Sequence, residues 1–484
     1  MKKWNILHRQ EPSRNDLMES MSIPEEIGQI LLNRGVETQD QVKMFTDPSL
    51  KYLRDPFQLK DMDRAVERVR RAISENEKIW IFGDYDVDGV SSTSIMILYF
   101  KSIGYPVDYY IPNRLEEGYG LNTEAIDHIA SKDGSLIITV DCGITSVKEV
   151  DYAKDLGIDV IIIDHHECQE KLPDAYAVVD PKRDDSSYPF EGICGCSVAF
   201  KLIHALSGNE EFYRNINRYL EIVSLATICD IMPILDENRI IVKNGMEILG
   251  QGNNLGMQAL LEVCGLDGTK IKSSHLGFAI GPRINASGRL GFSKLGVELF
   301  TSDSLEEAKS LALMMDSKNT ERQEVEARIH MEVEDILSKD TSYRDDKVLV
   351  ISGKDWHHGI IGIVASKVTE KYYKPCILLC QEGDMAVGSA RSIKGFDIFS
   401  ALYECRDYMT KFGGHQQAAG MSMEVAKIAL LREKINKIAN YELNQEDLVE
   451  VIKVEYEIDQ ASLDLDLVDN LHILEPFGIK NPTP

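Results

Sequence analysis

The spacing of apolar and polar positions divides the chain into a polar opening, a long alternation of strand and helix patterns, one extended helix, and a second strand–helix unit. Within the opening, Pro24-Glu25-Glu26-Ile27-Gly28-Gln29-Ile30-Leu31-Leu32 has the spacing of a short amphipathic helix. From about Phe57 the periods alternate. Helical spacing over 62–74 leads to the apolar run Ile79-Trp80-Ile81-Phe82. A helix over 90–103, a strand over 107–111, a helix over 123–130 and a strand over 136–140 follow, then a helix over 147–156 and a strand over 160–163. Short apolar strands separated by helices predict an α/β fold whose sheet is largely parallel and covered on both faces.

Each strand pattern runs into chemistry. After Phe82 comes Gly83-Asp84-Tyr85-Asp86-Val87-Asp88-Gly89, after Val140 comes Asp141-Cys142-Gly143, and after Ile163 comes Asp164-His165-His166. A lone D-x-D after a strand is more often a solvated turn in which Asp bonds its own backbone. Parallel strands, however, deliver their carboxyl ends to one sheet edge, so these residues should converge there. Converging carboxylates repel one another unless a cation compensates, which points to a hard divalent metal. Asp164 can orient an imidazole, and adjacent side chains diverge, so one His is expected on metal and the other facing substrate. Asp230 ends the apolar helix 219–229, where a carboxylate meets the negative pole of the helix dipole unless a cation is near.

Composition narrows the class. At 484 residues with 43% hydrophobic content, two or three domains are expected. Met1-Lys2-Lys3-Trp4 has no cleavable-signal pattern and no apolar run is long enough to span a bilayer, so a cytoplasmic protein without membrane contact is expected. Nine scattered Cys read as reduced core thiols. A net charge of −26 argues against gripping nucleic acid by overall electrostatics but leaves room for a local basic groove.

Farther along, Gly281-Pro282-Arg283-Ile284-Asn285-Ala286-Ser287-Gly288-Arg289-Leu290-Gly291 reads as a Gly-rich loop able to bring backbone and guanidinium against phosphate. Ser304 with Glu307 forms a capping box for a helix running to about Leu337. Ala308, Leu311, Met315 and then Val325, Ile329, Val333, Ile336 keep helical spacing around a polar interval, 317–323, which predicts a partly exposed helix bridging two domains with a cleft between them. A second α/β unit starts near Lys347. It contains Trp356-His357-His358-Gly359-Ile360-Ile361-Gly362, Gly388-Ser389-Ala390-Arg391-Ser392 and Gly413-Gly414-His415-Gln416-Gln417-Ala418-Ala419-Gly420, the last read as an anion site before a small-residue helix.

Asp86-x-Asp88, Asp141, Asp164-His165-His166 and Asp230 resemble the four motifs of the DHH phosphoesterase superfamily. The 281–291 stretch resembles that of RecJ-type exonucleases, and the three later stretches resemble the DHHA1 domain that follows in those proteins. The resemblance implies metal ligation by Asp86, Asp88, Asp141, His165 and Asp230, support of His165 by Asp164, and His166 facing the phosphate. Asp84 is the alternative donor where other members carry a His four residues before the D-x-D and this chain has Phe82; either Asp84 substitutes or that metal is held more weakly. Ser389, Arg391, Gly413, Gly414 and His415 would bind substrate phosphate, with Arg283, Asn285, Arg289 and Arg114 holding the strand. The segment 454–458 and the end from Leu474 resemble the start of an OB-like domain, of which most is missing from this chain. The expected organisation is a cap at 1–55, a DHH domain at 56–302, a linker helix at 303–340, a DHHA1 domain at 341–445 and the start of an incomplete OB-like domain at 446–484.

The resemblance implies a 5′-to-3′ exonuclease specific for single-stranded DNA that releases 5′-mononucleotides with two divalent cations. Mn²⁺ is preferred to Mg²⁺ because imidazole is the softer ligand. It further implies a role in repair and recombination, a helicase and a single-strand-binding protein as partners, and a monomer as the favoured state. Two other readings stand beside it: a phosphodiesterase of short oligoribonucleotides or cyclic dinucleotides, and a non-catalytic binding subunit.

Overall fold

The structure is a computed structural model that describes residues 2–7, 23–113, 117–458 and 463–484. The chain divides into a larger unit, His8–Lys318 with Glu455–Pro484, and a smaller one, Met1–Leu7 with Asn319–Val454. Near its start a short strand, β1 (Lys3–Ile6), belongs to the smaller unit. Among the described residues no helix is long and apolar enough to cross a membrane.

The larger unit holds β2 (Ile79–Gly83), β3 (Asp108–Tyr110), β4 (Leu136–Val140), β5 (Asp159–Ile163) and β6 (Ala177–Val179). They form one parallel sheet in the order β3-β2-β4-β5-β6. Every residue of β2 and β4 is buried, as uninterrupted apolar runs require. Alternate side chains serve opposite faces. Ile79 and Ile81 join a core with the helices Met62–Glu75, Val87–Ser102 and Gly195–Ser207, whereas Trp80 and Phe82 join one with Thr123–Ala130 and Val147–Asp155. From β2 the chain crosses to β3 on one side and then returns to β4 on the other. The sheet therefore reverses direction between β2 and β4, and a crevice opens there at the carboxyl ends.

The helix after β2 begins at Val87, three residues earlier than the pattern predicts. Asp86 caps it, accepting from the amides of Asp88 and Gly89 at 2.9 and 3.1 Å. Asp88 thus sits in the first helical turn and not in the preceding loop. The helix is buried despite its polar run Ser91-Ser92-Thr93-Ser94, because Thr93 and Ser94 donate back to the carbonyls of Gly89 and Val90.

Two expectations near the chain ends change. The strand lies at β12 (Val451–Val454), not 454–458, and pairs in parallel with β1, which removes Lys3–Ile6 from the predicted cap. Residues after it return to the larger unit, where Leu474 is buried with Ile27, Leu31, Val42 and Phe45 of the cap helices. Arg239 closes this core. It is 1% exposed, stacks on Phe45, and donates to the carbonyls of Phe45, Ile473, Leu474, Glu475 and Pro476.

The extended helix runs Leu305–Lys339. Ala308, Ala312 and Met315 are buried in the larger unit's core, and Ile329 and Val333 in that of the smaller. Within its polar interval Asn319 is buried, and it and Glu326, buried just beyond the interval, both accept from Arg322.

In the smaller unit, β7 (Leu349–Lys354), β8 (Cys376–Glu382), β9 (Met385–Arg391), β10 (Met409–His415) and β11 (Ala418–Glu424) form a mixed sheet ordered β10-β11-β9-β8-β7. Only the β7–β8 pairing is parallel. Gly413, Gly414 and His415 therefore end a strand and do not precede a helix; Gly414 faces Ala419 across a hairpin. Their smallness answers to strand crowding, because a Cβ on Gly414 would lie 2.4 Å from the Ala418 carbonyl oxygen. The 281–291 stretch also departs from expectation, with a helix over Gly281–Arg289. A Cβ at Gly281 would meet Cys229 Sγ at 2.4 Å, and one at Gly288 the Tyr85 carbonyl oxygen at 2.4 Å, so these glycines let a helix approach closely.

Replacing Arg239 with Met would leave several buried carbonyls without a donor. We expect a loss of about 3 kcal/mol or more, read as a lower urea midpoint for the larger unit.

Candidate metal centre at the sheet edge

The crevice between β2 and β4 gathers the acidic side chains. Asp84, Asp86 and Asp141 form one group whose donor atoms lie within 4.8 Å of one another; Asp88, His165 and Asp230 form a second, and Asp141, His165 and His166 a third. His165 joins them, with Nε2 at 3.2 Å from Asp141 Oδ1, 3.5 Å from Asp230 Oδ2 and 3.7 Å from Asp88 Oδ2. Asp84, which the sequence left as an alternative, stands in the first group.

Local structure fixes each side chain. Asp141 leaves β4 with φ +59°, a conformation an Asp tolerates better than most residues, and Gly143 follows at φ +112°. Asp88 is 1% exposed and accepts from the first amides of the helix Gly195–Ser207, those of Gly195 at 2.7 Å and Cys196 at 2.9 Å. A helix N-terminus thereby holds a buried carboxylate. A Cβ at Gly195 would stand 2.7 Å from both Cβ and Oδ1 of Asp141.

Asp164 plays a different part from the one expected. Its carboxylate accepts from the amides of Ile144, His165 and His166 and binds the His166 ring, Oδ1 to Nδ1 2.7 Å. It therefore orients His166 and touches His165 only at the main chain. Burial alone would raise the Asp164 carboxyl, but the His166 bond and charge and the Ile144 amide hold it below the usual carboxylate range. Burial likewise opposes charge on His166, yet the Asp164 bond and the nearby carboxylates push it up to about 9. His165 goes the other way, lowered chiefly by burial, the direction that favours the neutral imidazole a metal would need.

Asp88, Asp141 and Asp230 are all raised, first by burial and then by mutual repulsion, which His165 partly relieves for Asp88; Asp230 reaches about 9. Among the described residues, Asp141 Oδ1, Asp230 Oδ2 and both ring nitrogens of His165 are buried without a hydrogen-bond partner. Buried acceptors left in this state are costly, and a divalent cation satisfies them together. Carboxylate and imidazole donors suit a divalent cation such as Mn²⁺ or Mg²⁺, so the residues fit such a group.

The remaining expected positions are not members of these donor groups. Arg283 is committed to Asp316, Nε to Oδ1 2.9 Å, and to the Ala279 carbonyl, which serves helix packing in place of an open phosphate site. Asn285 Oδ1 accepts from the Val87 amide at 3.3 Å and so ties its helix to the acidic turn. Arg289 is half-buried at the last turn of that helix, and Arg114 lies outside the described residues. In the smaller unit Arg391 donates to Ser389 Oγ at 3.0 Å, while His415 is exposed at the end of β10.

Pattern reading missed Gly195 and Cys196, and it missed Tyr119. The Tyr119 hydroxyl donates to the Asp141 carbonyl at 3.3 Å and lies 3.4 Å from the His166 ring nitrogens. Gly118-Tyr119-Gly120 was the available signal, since both glycines adopt positive φ.

A parallel sheet presenting D-x-D, Asp, Asp-His-His and Asp at its switch-point edge defines a DHH-type phosphoesterase. Residues 78–227 match the DHH family, N-terminal domain, and residues 345–440 match the DHHA1 domain. The single-stranded-DNA-specific exonuclease RecJ of Bacillus subtilis is 38% identical over 484 residues, which is 100% of this chain and 61% of that protein. RecJ of Escherichia coli is 34% identical over 97% of this chain and 85% of its own length. The chain belongs to the RecJ family. Among solved structures, Thermus thermophilus RecJ in complex with Mn²⁺ superposes with a TM-score of 0.85 at 26% identity, covering 100% of this chain and 69% of that one. A Mg²⁺ complex of the same protein gives 0.78 at 25% identity, covering 100% and 67%.

Raised carboxyl pKa values make the metal-free protein lose stability as pH rises from about 4, where the unfolded carboxyls ionise, to about 9, where Asp230 does. Thermal melts without metal should fall across that window, and saturating Mn²⁺ should remove most of the slope. Gly195→Ala should weaken Mn²⁺ binding about 10- to 100-fold by calorimetry, because the new methyl displaces Asp141.

Proposed function

We propose that this chain is an exonuclease specific for single-stranded DNA, acting 5′ to 3′ and releasing 5′-mononucleotides. The observation that carries the reading is the pair of donor groups, Asp84-Asp86-Asp141 and Asp88-His165-Asp230, meeting at the His165 and Asp141 side chains. Similarity over the whole of this chain to single-stranded-DNA-specific RecJ exonucleases supports the substrate and the exonuclease action, and the polarity is what the motif resemblance implies. Two divalent cations, Mn²⁺ in preference to Mg²⁺, would be held by these two groups. Bound there, they supply the charge that polarises a phosphodiester and lowers the pKa of the attacking water.

The chain's own residues do the rest. His166, locked by Asp164 through Nδ1, presents its other ring nitrogen toward a phosphate at the rim. Tyr119 packs edge-on against both Tyr85 and His166 and limits the ring's freedom. Arg289 is a phosphate contact of the larger unit, and Ser389, Arg391 and His415 are phosphate contacts within the smaller unit. A strand-specific enzyme depends on opened duplex, so a helicase and a single-strand-binding protein are its expected partners in repair and recombination.

Asp141→Ala and His165→Ala are expected to fold and to lose Mn²⁺-dependent hydrolysis. His166→Asn should lower kcat by about 10²- to 10³-fold with Mn²⁺ affinity little changed, because it removes a transition-state donor and no metal ligand. The test is digestion of single-stranded DNA labelled at either end, with a duplex control. Mononucleotides released from the 5′ end of single strands alone support the proposal, and turnover retained in Asp141→Ala overturns the assignment of the centre.

A further inference from the structure

Beside the acidic centre stands a cation, Lys182, that belongs neither to the donor groups nor to the expected phosphate contacts. The edge strand β6 ends at Val179, which pairs with Ile163 of β5, and the Asp164 amide donates to the Val179 carbonyl at 3.1 Å. Asp180 therefore leaves the sheet next to Asp164, at the edge that carries the acidic centre. It is fully buried, and its Oδ1 accepts from the Lys182 amide at 2.8 Å, which fixes the turn around Pro181. One residue on, Arg183 donates to the Val178 carbonyl at 2.5 Å and to Asp61 at 2.8 Å. Between these two anchors the Lys182 ammonium reaches to the neighbouring loop and lies 3.0 Å from Oε1 of Glu167, the residue that follows His166.

The pair with Glu167 does not account for this placement. The Glu167 side chain is 87% exposed and that of Lys182 only 26%. An ion pair with so exposed a partner is screened by water and holds its lysine loosely. The lysine charge instead acts on the centre. Burial is the first cause that lowers His165 and that raises Asp230, to about 9, and the Lys182 charge lowers both. Charge balance gives such a cation a use. Asp84, Asp86, Asp88, Asp141 and Asp230 carry five negative charges when ionised, and two divalent cations return four. A phosphodiester then meets a centre that still repels it, and the repulsion grows as negative charge collects on the phosphate oxygens during attack. A loosely paired lysine, a compact cation on a flexible stem, is suited to meet that charge.

We propose that Lys182 is a catalytic residue of this centre: its ammonium leaves Glu167 and binds a non-bridging oxygen of the scissile phosphate, offsetting the negative charge that the divalent cations leave. Asp180 and Arg183 hold the turn from which it reaches. The proposal rests on the reading of the acidic centre as a phosphodiester-cleaving site. It concerns the reacting group alone and not the strand beyond it.

Lys182→Met and Lys182→Arg test it. With Mn²⁺, Lys182→Met should lower kcat about 10- to 100-fold, by the same factor on oligo(dT) and on the p-nitrophenyl ester of thymidine 5′-monophosphate, which offers only the reacting phosphate. Lys182→Arg should recover most of the rate on both. Glu167→Gln, which frees the ammonium, should not lower turnover. Calorimetry gives a readout apart from activity: removing a cation from beside the donors should leave Mn²⁺ affinity unchanged or raise it by up to about fivefold, whereas loss of a residue that merely props the centre would lower it. A loss confined to oligo(dT), equal rates for Lys182→Met and wild type, a fall with Glu167→Gln, or Mn²⁺ affinity falling with turnover overturns the proposal. If wild type hydrolyses neither substrate, the nuclease reading fails, and binding of thymidine 5′-monophosphate to the Mn²⁺-loaded protein decides for Lys182. An affinity about 10-fold weaker in Lys182→Met then upholds the phosphate contact, and no difference overturns it.

Discussion

Like charge confined at a buried sheet edge is the constraint on which the larger unit depends. Asp84, Asp88 and Asp141 are at most 2% exposed, and Asp230 faces two of their group across the His165 ring. Carboxylates so placed do not remain ionised together without help, and their raised pKa values record that conflict. The fold offsets part of it with backbone dipoles. The N-terminus of Gly195–Ser207 binds Asp88, the first turn of Val87–Ser102 binds Asp86, and three amides with the His166 ring bind Asp164. What is left unsatisfied, Asp141 Oδ1, Asp230 Oδ2 and the His165 ring, is the part that a cation completes.

Close approach is the means by which these dipoles are brought to bear. Gly195 admits a helix end against Asp141, and Gly288 admits the Gly281–Arg289 helix against the Tyr85 carbonyl. Asn285 on that same helix bonds the acidic turn, so the stretch that resembles a phosphate loop also acts as a buttress for the acidic cluster. Small residues carry a comparable burden in the smaller unit, where Gly414 and Ala419 cross a hairpin too tight for larger side chains.

The division of labour between the two adjacent histidines follows from burial. His165 is nearly enclosed and neutral, while His166 is exposed enough to reach the rim and is bonded to an ionised Asp164. One chain position thus separates an enclosed imidazole from a half-exposed one bonded to Asp164, because successive residues after a strand face different surroundings.

Much of this was legible in the sequence. Uninterrupted apolar runs identified β2, β4 and β5, their alternation with helices required a parallel sheet, and parallel strands forced Asp86, Asp141 and Asp164-His165-His166 to one edge. Asp230 was suspect because a carboxylate at a helix C-terminus is unfavourable alone. Sequence did not reveal that Gly195 and Cys196 would hold Asp88, since that contact joins positions more than a hundred residues apart and has no local period. Nor did it show that Asp164 would take His166 in preference to His165, a choice made by side-chain direction in the packed crevice. Small residues at 413–420 and 281–291 suit loops, hairpins and close-packed helices alike, so both stretches were assigned the wrong local form. Likewise β12 found its partner in β1 at the far end of the chain. Local pattern determined the strands and the chemistry delivered at their ends; the tertiary structure decided which donor meets which acceptor, because those pairings depend on distances that only packing sets.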